Sequence, residues 1–392
     1  MSEKNDTSIF SEEEILSIRE GKDGIKHVLP PRFYTDQSIY QLEVERILKR
    51  NWLFIGRWDQ AENPGDYFTI NMWGQSIIIV RNNEGKLNAL VNVCQHRFSQ
   101  VVDDGSGNTK FFRCPYHRWT YDLDGRLKGI TTQPIPGFDK KQCRLPSLRV
   151  EEWQGFIFVN YDQDALPLGQ QLEGLNKLFD NFQLDTFRQQ GEISYKSRWN
   201  YKCSFENGFE GYHHVGLHHD AIHHLIPSSN TKPYLFGEIY GSYTMWPAED
   251  LADEIKKELE QPFGVPPWAG NGDKDVFGDY FVGIYPAGPM MFLQNFQCTY
   301  LITHHQGVDS NYGITGQAFP PWLFDLPGAK EKIEAQVQMT KHVQDEDSYG
   351  CEMWQKGLKS ANGSSGLLHP LEVQINHFHN WYIDQMMNTE FI

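Results

Sequence analysis

The chain has 392 residues, of which 39% are hydrophobic and 14% are aromatic, so it has enough apolar surface for two ordinary domains and is not intrinsically disordered. The formal charge of −16 excludes a typical nucleic-acid-binding protein, which needs clustered lysine and arginine. No apolar run reaches the roughly 18 residues of a membrane span, and the polar, acidic start is unlike a signal peptide. We therefore expect a cytoplasmic protein that has neither a membrane nor a nucleic acid as partner.

The first half of the chain is predicted to be a helical segment followed by a small β domain. Residues 37–58 begin with apolar residues at helical spacing and end in the aromatic stretch WLFIGRW. Short β-rich runs follow, and the turns between them suit hairpins. The predicted strands are Tyr67–Ile70, Ser76–Val80, Leu87–Val93, Lys110–Arg113, Trp119–Leu123 and Phe156–Val159. We expect a helical segment over residues 1–45 and an all-β domain over residues 46–165.

The second half mixes strands with helices, after a passage near residues 167–171 that is rich in proline, glycine and glutamine. Strands are predicted over Gly278–Ile284 and Met290–Gln297, and the clearest helix runs over Ala329–Lys359. This mixture predicts an α+β domain over residues 166–392.

Two similar segments each offer one cysteine and one histidine. Cys94 and His96 follow one predicted strand, and Cys114 and His117 follow another. Two thiolates and two imidazoles can hold the two irons of a [2Fe-2S] cluster, but the same ligands also suit one tetrahedral zinc ion. Zinc fingers usually place both histidines on one helix, so the paired loops favour the cluster. The other cysteines are interpreted as ordinary buried thiols: Cys143, Cys203, Cys298 and Cys351.

The sequences around these ligands, NVCQHR and CPYHRWTYDLDGRL, resemble the Rieske motif of ring-hydroxylating and related oxygenases. The chain departs from the usual motif at Phe98 and Arg118, where glycine is common, so the potential or exposure of the cluster is expected to differ. The resemblance implies an α+β protein in which an N-terminal all-β Rieske [2Fe-2S] domain is inserted before a helix-grip, START-like catalytic domain. That domain would have an antiparallel sheet and a long C-terminal helix, and the helical segment 1–45 would pack on it.

Six histidines lie between residues 213 and 224, which is more than the packing of a core requires. Two imidazoles and one carboxylate on one side of Fe(II) leave positions open for O₂ and substrate, as non-haem oxygenases need. The spacing of His214 and His218 places both on one helical face, so helix geometry alone selects that pair.

The family resemblance selects a different pair of histidines, His213 and His218. The residues that match the family pattern are, in chain order, Glu206, Asn207, Glu210, Tyr212, His213 and His218. Gly216 can interrupt the helix between the two histidines. His214 with His219 is the alternative register for the two ligands. His223 and His224 are interpreted as surface or supporting groups.

Periodicity along the long helix singles out one carboxylate that needs a partner. Asp347 falls inside an apolar stripe that consists of Ile333, Thr340, Val343, Cys351, Trp354 and Leu358. A carboxylate on such a face needs a partner, and a buried salt bridge accounts for it as well as a metal does. The segment DEDSYGCEMWQKGLKS resembles the one that supplies the oxygenase carboxylate, which implies that Asp347 is the ligand. Its neighbours Asp345, Glu346 and Glu352 are expected to point elsewhere.

The resemblance also implies a role for Glu210, three residues before His213. In the family, an acidic residue at this position links the Rieske histidine of a neighbouring subunit to the mononuclear iron, although aspartate is more usual. The residue pattern alone favours a solvated helix carboxylate. The electron bridge implies a head-to-tail homotrimer, because the cluster and the iron of one chain would be too far apart. Asn207 is a second catalytic candidate in this segment.

Taken as a whole, the resemblance implies the terminal oxygenase of a multicomponent system. Electrons would come from an NAD(P)H-dependent reductase, directly or through a ferredoxin, and this reductase would be another chain because no dinucleotide-binding glycine motif follows a strand. The expected substrate is a small molecule with an aromatic ring, and the alternative is hydroxylation or N-dealkylation of a betaine-type quaternary amine. The aromatic-rich region Pro233–Phe296 is expected to line the pocket. A non-enzymatic electron carrier or a zinc-stabilised binding protein is a more distant alternative.

Overall fold

Two seven-stranded antiparallel sheets and one three-stranded sheet organise the described residues of the computed structural model. The structure describes residues 9–179, 182–261, 263, 279–288, 290–294, 296–360 and 366–388. The predicted α+β class, with an all-β first half, is confirmed.

The first half of the chain forms one large sheet and the small one. Its strands are β1 Leu53–Arg57, β2 Asp66–Met72, β3 Gln75–Arg81, β4 Leu87–Val91, β5 Ser106–Asn108, β6 Phe112–Arg113, β7 Thr120–Tyr121, β8 Leu127–Gly129, β9 Ser147–Trp153 and β10 Phe156–Asn160. The large sheet has the order β1-β10-β9-β4-β3-β2-β5, and β6, β7 and β8 form the small sheet. Alternate residues of β3 enter two cores: Ile77 and Ile79 face one side, while Ile78 and Val80 pack with Cys94 and the small sheet.

The second half forms the other large sheet, which carries the cavity described below. Its strands are β11 Arg188–Ser197, β12 Thr231–Phe236, β13 Tyr240–Met245, β14 Asp279–Ile284, β15 Met290–Gln294, β16 Gln297–Gly307 and β17 Ser310–Phe319, in the order β11-β17-β16-β15-β14-β13-β12. The single predicted strand Met290–Gln297 is wrong, because Gln294 at the end of β15 pairs with Gln297 at the start of β16. The polar residues Gln294 and Gln297 interrupt the apolar run where the chain turns. The predicted start of β14, Gly278, lies outside the described residues.

The helices lie before and after the two sheets and between their strands. They are α1 Glu12–Arg19, α2 Arg32–Thr35, α3 Gln37–Glu43, α4 Leu168–Gln171, α5 Glu173–Phe179, α6 Tyr201–Gly208, α7 Asp253–Glu260, α8 Ala329–Ser360 and α9 Val373–Met387. The 32-residue helix α8 matches the predicted long helix and packs against β11, α2 and α6. In the part of the chain that the structure describes, none of these helices combines the length and apolar character that a membrane crossing requires.

Buried polar contacts join the N-terminal segment and α9 to α6, the helix that leads into the histidine segment. Lys202 Nζ lies 2.6 Å from Glu43 Oε1, and both side chains are fully buried. The hydroxyl of Tyr382 also donates to Glu43. Further along α6, the hydroxyl of Tyr34 donates to Glu206 at 2.7 Å. These contacts tie α6 to α2, α3 and α9.

The hairpin between β2 and β3 ties the two large sheets together through Trp73. Its backbone N–H donates to the carbonyl of His305 at 2.9 Å, and its indole N–H donates to the hydroxyl of Tyr40 at 3.0 Å. The rings of Trp73 and His305 stack with an interplanar angle of 12°. His305 is therefore part of the joint between the sheets.

Candidate active site

Two loops of the first sheet region carry the first set of ligand candidates and share one backbone geometry. The N–H of Phe98 donates to the carbonyl of Cys94, and the N–H of Arg118 donates to the carbonyl of Cys114, both at 3.0 Å. Phe98 has a φ of 61° and Arg118 a φ of 62°, in the left-handed region where a side chain costs roughly 1–2 kcal/mol. Glycine adopts this region freely, which is the physical reason that it suits both positions.

The four predicted ligands of this site come together in an asymmetric way. Cys94 and Cys114 are buried and unpaired by disulfides. The Nδ1 atoms of His96 and His117 face each other at 3.1 Å. Two thiolates and two imidazoles, with one of each from either loop, are a donor set for a histidine-ligated two-iron cluster.

The two thiols of the quartet are buried, whereas its two histidines are partly exposed. Burial raises the pKa of the Cys94 thiol, and the hydroxyl of Tyr121 lies 3.3 Å from its sulfur. A thiolate in this core needs a metal to balance its charge. The ring of His96 stacks on Trp119, and the ring of His117 lies against Tyr116 near the surface. The chemistry of the donors therefore fits a cluster that exchanges electrons through its histidines.

The second set of ligand candidates lies where α6 meets α8. After α6 ends at Gly208, a 3-10 turn over Tyr212–Val215 carries His213, and His218 follows it. Asp347 Oδ1, from the middle of α8, is 3.6 Å from His213 Nε2 and 3.0 Å from His218 Nε2. This oxygen is buried and has no hydrogen-bond partner among the described residues. Two imidazole nitrogens and one carboxylate oxygen on one side are a donor set that fits Fe(II).

Two glutamates hold the outer nitrogens of these histidines. Glu210 Oε1 lies 2.8 Å from His213 Nδ1, and Glu346 Oε2 lies 2.7 Å from His218 Nδ1. Such contacts place the proton on Nδ1 and leave Nε2 to bind a metal. The prediction that Glu346 points elsewhere is wrong. Adjacent helical residues lie about 100° apart, so Glu346 and Asp347 reach His218 from two edges of one face.

The remaining histidines differ in burial. His214 is buried, with its ring 4.7 Å from that of His213 and 5.1 Å from that of His218. Burial, together with the neighbouring imidazoles, lowers the pKa of His214 well below its usual value. His219 is exposed beside Asp220, and the structure does not bring it into the cluster. His223 lies near Ser228, at 3.4 Å.

A cavity of about 340 Å³ opens beside the second ligand set. His213, His218 and Asp347 line one end, and Asn207 lines it as well. The other walls come from β13 to β17, α7 and α8 and are largely aromatic or apolar. The described part of the predicted pocket region, Pro233–Phe296, supplies Tyr243, Asp279, Phe281, Phe292 and Phe296. A small organic molecule fits this volume.

Comparison with protein families identifies the class of protein. A model described as "Rieske [2Fe-2S] domain" matches residues 51–139, and one described as "Ring hydroxylating alpha subunit (catalytic domain)" matches residues 184–388. The second match covers more than half of the chain, so the chain belongs to the family of ring-hydroxylating oxygenase alpha subunits. The predicted cofactors, one [2Fe-2S] cluster and one mononuclear iron, are confirmed at this level.

Curated relatives include two kinds of enzyme. Benzene 1,2-dioxygenase subunit alpha from Pseudomonas putida is 30% identical over 268 residues, which are 68% of this chain and 54% of that protein. Chloroplastic choline monooxygenase from Spinacia oleracea is 26% identical over 369 residues, which are 91% of this chain and 77% of that protein. The chain spans about half the length of the first dioxygenase relatives it matches.

Solved structures share the fold over nearly the whole chain. A quaternary ammonium Rieske monooxygenase matches with a TM-score of 0.80 and 19% identity, covering 96% of this chain and 98% of that one. A naphthalene 1,2-dioxygenase with indole bound matches with a TM-score of 0.79 and 21% identity, covering 95% of each chain. At these identities the likeness establishes the architecture, and substrate preference is a separate question.

Proposed function

We propose that this chain is the terminal oxygenase of a multicomponent system, using O₂ and electrons from a separate NAD(P)H-dependent reductase to oxidise a small organic substrate. One observation carries the proposal. The Nε2 atoms of His213 and His218 and an oxygen of Asp347 converge at one end of a cavity large enough for such a molecule. A pure electron carrier would need neither that cavity nor those ligands.

We assign the cluster to Cys94, His96, Cys114 and His117, and the mononuclear iron to His213, His218 and Asp347. When bound, the cluster carries single electrons and the iron offers open positions to O₂. Glu210 and Glu346 orient the two histidine rings, and their acceptor oxygens hold the Nδ1 protons in place. His214 remains the alternative ligand because it meets the same pair of histidines within 4.8 Å.

We assign Glu210 to the electron bridge between subunits. Its carboxylate contacts His213 twice, through the ring Nδ1 at 2.8 Å and the backbone N–H at 2.9 Å, and lies next to the exposed Tyr212. A histidine of a neighbouring cluster could therefore reach the iron ligand through one side chain. The arrangement requires a head-to-tail ring, and a homotrimer is our proposed assembly. A reductase, with or without a ferredoxin, would deliver electrons to the same cluster.

The proposal extends to the class of substrate, for which there are two candidates. Hydroxylation of an aromatic ring is supported by the aromatic wall of the cavity, and Asn207 at the iron end is placed to contact the substrate. Hydroxylation or N-dealkylation of a betaine-type quaternary amine is the second candidate, and the observation that favours it is a carboxylate, Asp279, in the same wall. We place the protein in the cytoplasm, because none of the six cysteines forms a disulfide, as a reducing compartment favours.

Metal and sulfide analysis tests the proposal directly. Protein purified without air should contain about three irons and two acid-labile sulfides per chain, and after dithionite reduction its EPR spectrum should have the low average g value of a histidine-ligated cluster. O₂ uptake with a reductase and a panel of aromatic and quaternary amine substrates then tests the reaction. Zinc in place of iron, with no reduced-cluster signal, would exclude the oxygenase.

A further inference from the structure

A pair of uncharged polar side chains stands beside the aromatic part of the cavity wall. On the second large sheet, cross-strand pairing joins Tyr243 to Phe281 and Phe281 to Phe292, and their rings stack at 4.5 Å and 4.7 Å. Thr299 on β16 is the next residue in this row and also lines the cavity. Gln297 precedes it by two residues, so both side chains point to the same side of the strand. We call Thr299 and Gln297 the polar pair.

The hydroxyl group of Thr299 has two donors and no acceptor among the described residues. The side-chain amide of Gln297 donates to its oxygen at 2.9 Å, and that of Gln317 on β17 donates to it at 3.5 Å. A hydroxyl has two acceptor lone pairs and one donor, so the O–H group is the part of Thr299 that remains unused. Thr299 is 6% exposed, and a buried donor without an acceptor is unfavourable. An acceptor atom of a bound molecule would satisfy it.

The polar pair also offers an acceptor. The Nε2 atom of Gln297 donates to Thr299, whereas its Oε1 atom accepts no hydrogen bond from a described residue. Oε1 and Nε2 are attached to one carbon, so one small group can contact both Oε1 and the hydroxyl of Thr299. Turning the amide over exchanges the roles of the two side chains, and the pair still offers one donor and one acceptor. A group that both accepts and donates, such as a hydroxyl, matches the pair.

The charges of the cavity lining favour a neutral partner for the polar pair. None of the described lining residues is lysine or arginine, so a carboxylate at the pair would be buried without either of these as its counter-charge. An ammonium group can donate to Gln297 but has no lone pair to accept from Thr299. A hydroxyl group is uncharged and uses both sites. The chemistry of the pair therefore selects an alcohol or a phenol over an ionised substituent.

Helix α8 shows where the polar pair lies relative to Asp347. Gln317, which contacts the pair, also donates to the hydroxyl of Thr340 at 2.7 Å. Thr340 is seven residues before Asp347, which is about 10 Å along the helix axis. Thr315, two residues before Gln317 on β17, donates to Gln344, which is one turn before Asp347. Strand and helix thus lead away from the carboxylate together, and a group held by the pair leaves the space beside Asp347 to another part of the molecule.

We propose that the polar pair is a subsite for a hydroxyl group, so that the preferred substrate is a neutral aromatic molecule with an alcohol or phenol substituent. The inference rests on the proposed oxygenase function of the same cavity and specifies its substrate. The aromatic part of the wall packs against the ring, while Thr299 and Gln297 bind the hydroxyl. The carbon that reacts is then on a different part of the molecule from the anchored hydroxyl.

The test compares two ligands of the same shape, 4-propylphenol and 4-propyltoluene, in which a methyl group replaces the hydroxyl. Dissociation constants are measured by calorimetry on iron-loaded, reduced protein without O₂. The unsubstituted protein should bind the phenol about tenfold more tightly than the hydrocarbon. Thr299→Val, which replaces the hydroxyl by a methyl group, should weaken binding of the phenol by about tenfold and change that of the hydrocarbon by less than about twofold. Thr299→Ser, which keeps the hydroxyl, should retain the preference.

Thr303→Val serves as the matched control, because Thr303 lies on the same strand and does not line the cavity. It should bind the phenol and the hydrocarbon as the unsubstituted protein does. Equal affinity of the unsubstituted protein for the two ligands, or an unchanged preference in Thr299→Val, would overturn the inference. Selective binding of the phenol by a protein that consumes no O₂ with any substrate would instead overturn the proposed function and leave this subsite standing.

Discussion

At the residue scale, a single hydrogen bond decides which nitrogen of each histidine can bind a metal. Glu210 and Glu346 each engage an Nδ1 atom, so the Nε2 atoms of His213 and His218 are left free to bind a metal beside Asp347. The buried Oδ1 of Asp347 has no hydrogen bond among the described residues. A metal held as proposed would be the partner that this carboxylate needs on the apolar face of α8.

Asp347→Ala should remove the mononuclear iron and leave the cluster intact. Iron should fall from about three to about two per chain, while the reduced-cluster EPR signal and the sulfide content stay unchanged. Asp345→Ala is the control, because Asp345 lies two residues away on the same helix and pairs with Lys341 at the surface. Full iron content in Asp347→Ala would remove Asp347 from the ligand set.

Phe98→Gly should stabilise the first sheet region, because Phe98 holds a positive φ with a ring that is 77% exposed. Removal of the side chain relieves a backbone cost of roughly 1–2 kcal/mol, while the extra freedom of glycine in the unfolded chain costs about 0.5–1 kcal/mol, so a net gain of up to about 1.5 kcal/mol is expected. Thermal unfolding followed by cluster absorbance measures it.

Phe111→Gly is the comparison for this change, since Phe111 is an exposed aromatic residue outside the positive-φ set. It should lower the unfolding temperature. A drop of similar size in Phe98→Gly would mean that the exposed ring makes stabilising contacts.

At the scale of elements, the sequence predicted the segments whose apolar residues recur at a regular spacing. It predicted few of the contacts between one element and another. The long helix was found to within one residue because its apolar stripe is continuous, and the same stripe marked Asp347. The prediction of one strand missed the β15–β16 hairpin, although the polar residues Gln294 and Gln297 mark the turn. The contact between Glu346 and His218 could not be predicted, since it depends on which elements meet. The divisions near residues 45 and 165 stay predictions.

The element most dependent on a buried charge pair is α6. Lys202→Met should leave Glu43 buried without its cation and lower the free energy of unfolding by about 3–5 kcal/mol. Urea unfolding measures the loss, and the double change Lys202→Met with Glu43→Leu should recover most of it. Lys49→Met removes a surface pair with Glu45 and should cost less than about 1 kcal/mol. A loss below 1 kcal/mol in Lys202→Met would show that α6 is held by packing alone.

At the scale of the whole molecule, the joint between the two large sheets contains two buried histidines. Burial lowers the pKa of His304 to about 4 and that of His305 to about 3. In the unfolded chain both titrate near 6.5, so below that pH the unfolded state binds more protons. The stability that the two uncharged histidines contribute is full above pH 6.5. It is lost as the pH falls towards their folded-state pKa values of about 4 and about 3.

His305→Phe should therefore reduce the acid sensitivity of the fold. The free energy of urea unfolding, followed by tryptophan fluorescence, should decline less steeply between pH 7.5 and 5 than in the unsubstituted protein. His224→Phe changes an exposed histidine and should leave the slope as it was. Identical slopes in all three proteins would assign acid unfolding to other groups.

One long helix, α8, carries both the carboxylate that we propose as an iron ligand and part of the cavity wall. Asp347, Gln344 and Thr340 occupy successive turns of α8, and the last two are hydrogen-bonded to β17 through Thr315 and Gln317. A molecule that displaced α8 as it bound in the cavity would also displace the carboxylate of Asp347. In the proposed oxygenase, the fit of a substrate would thus be coupled to the geometry of the metal site.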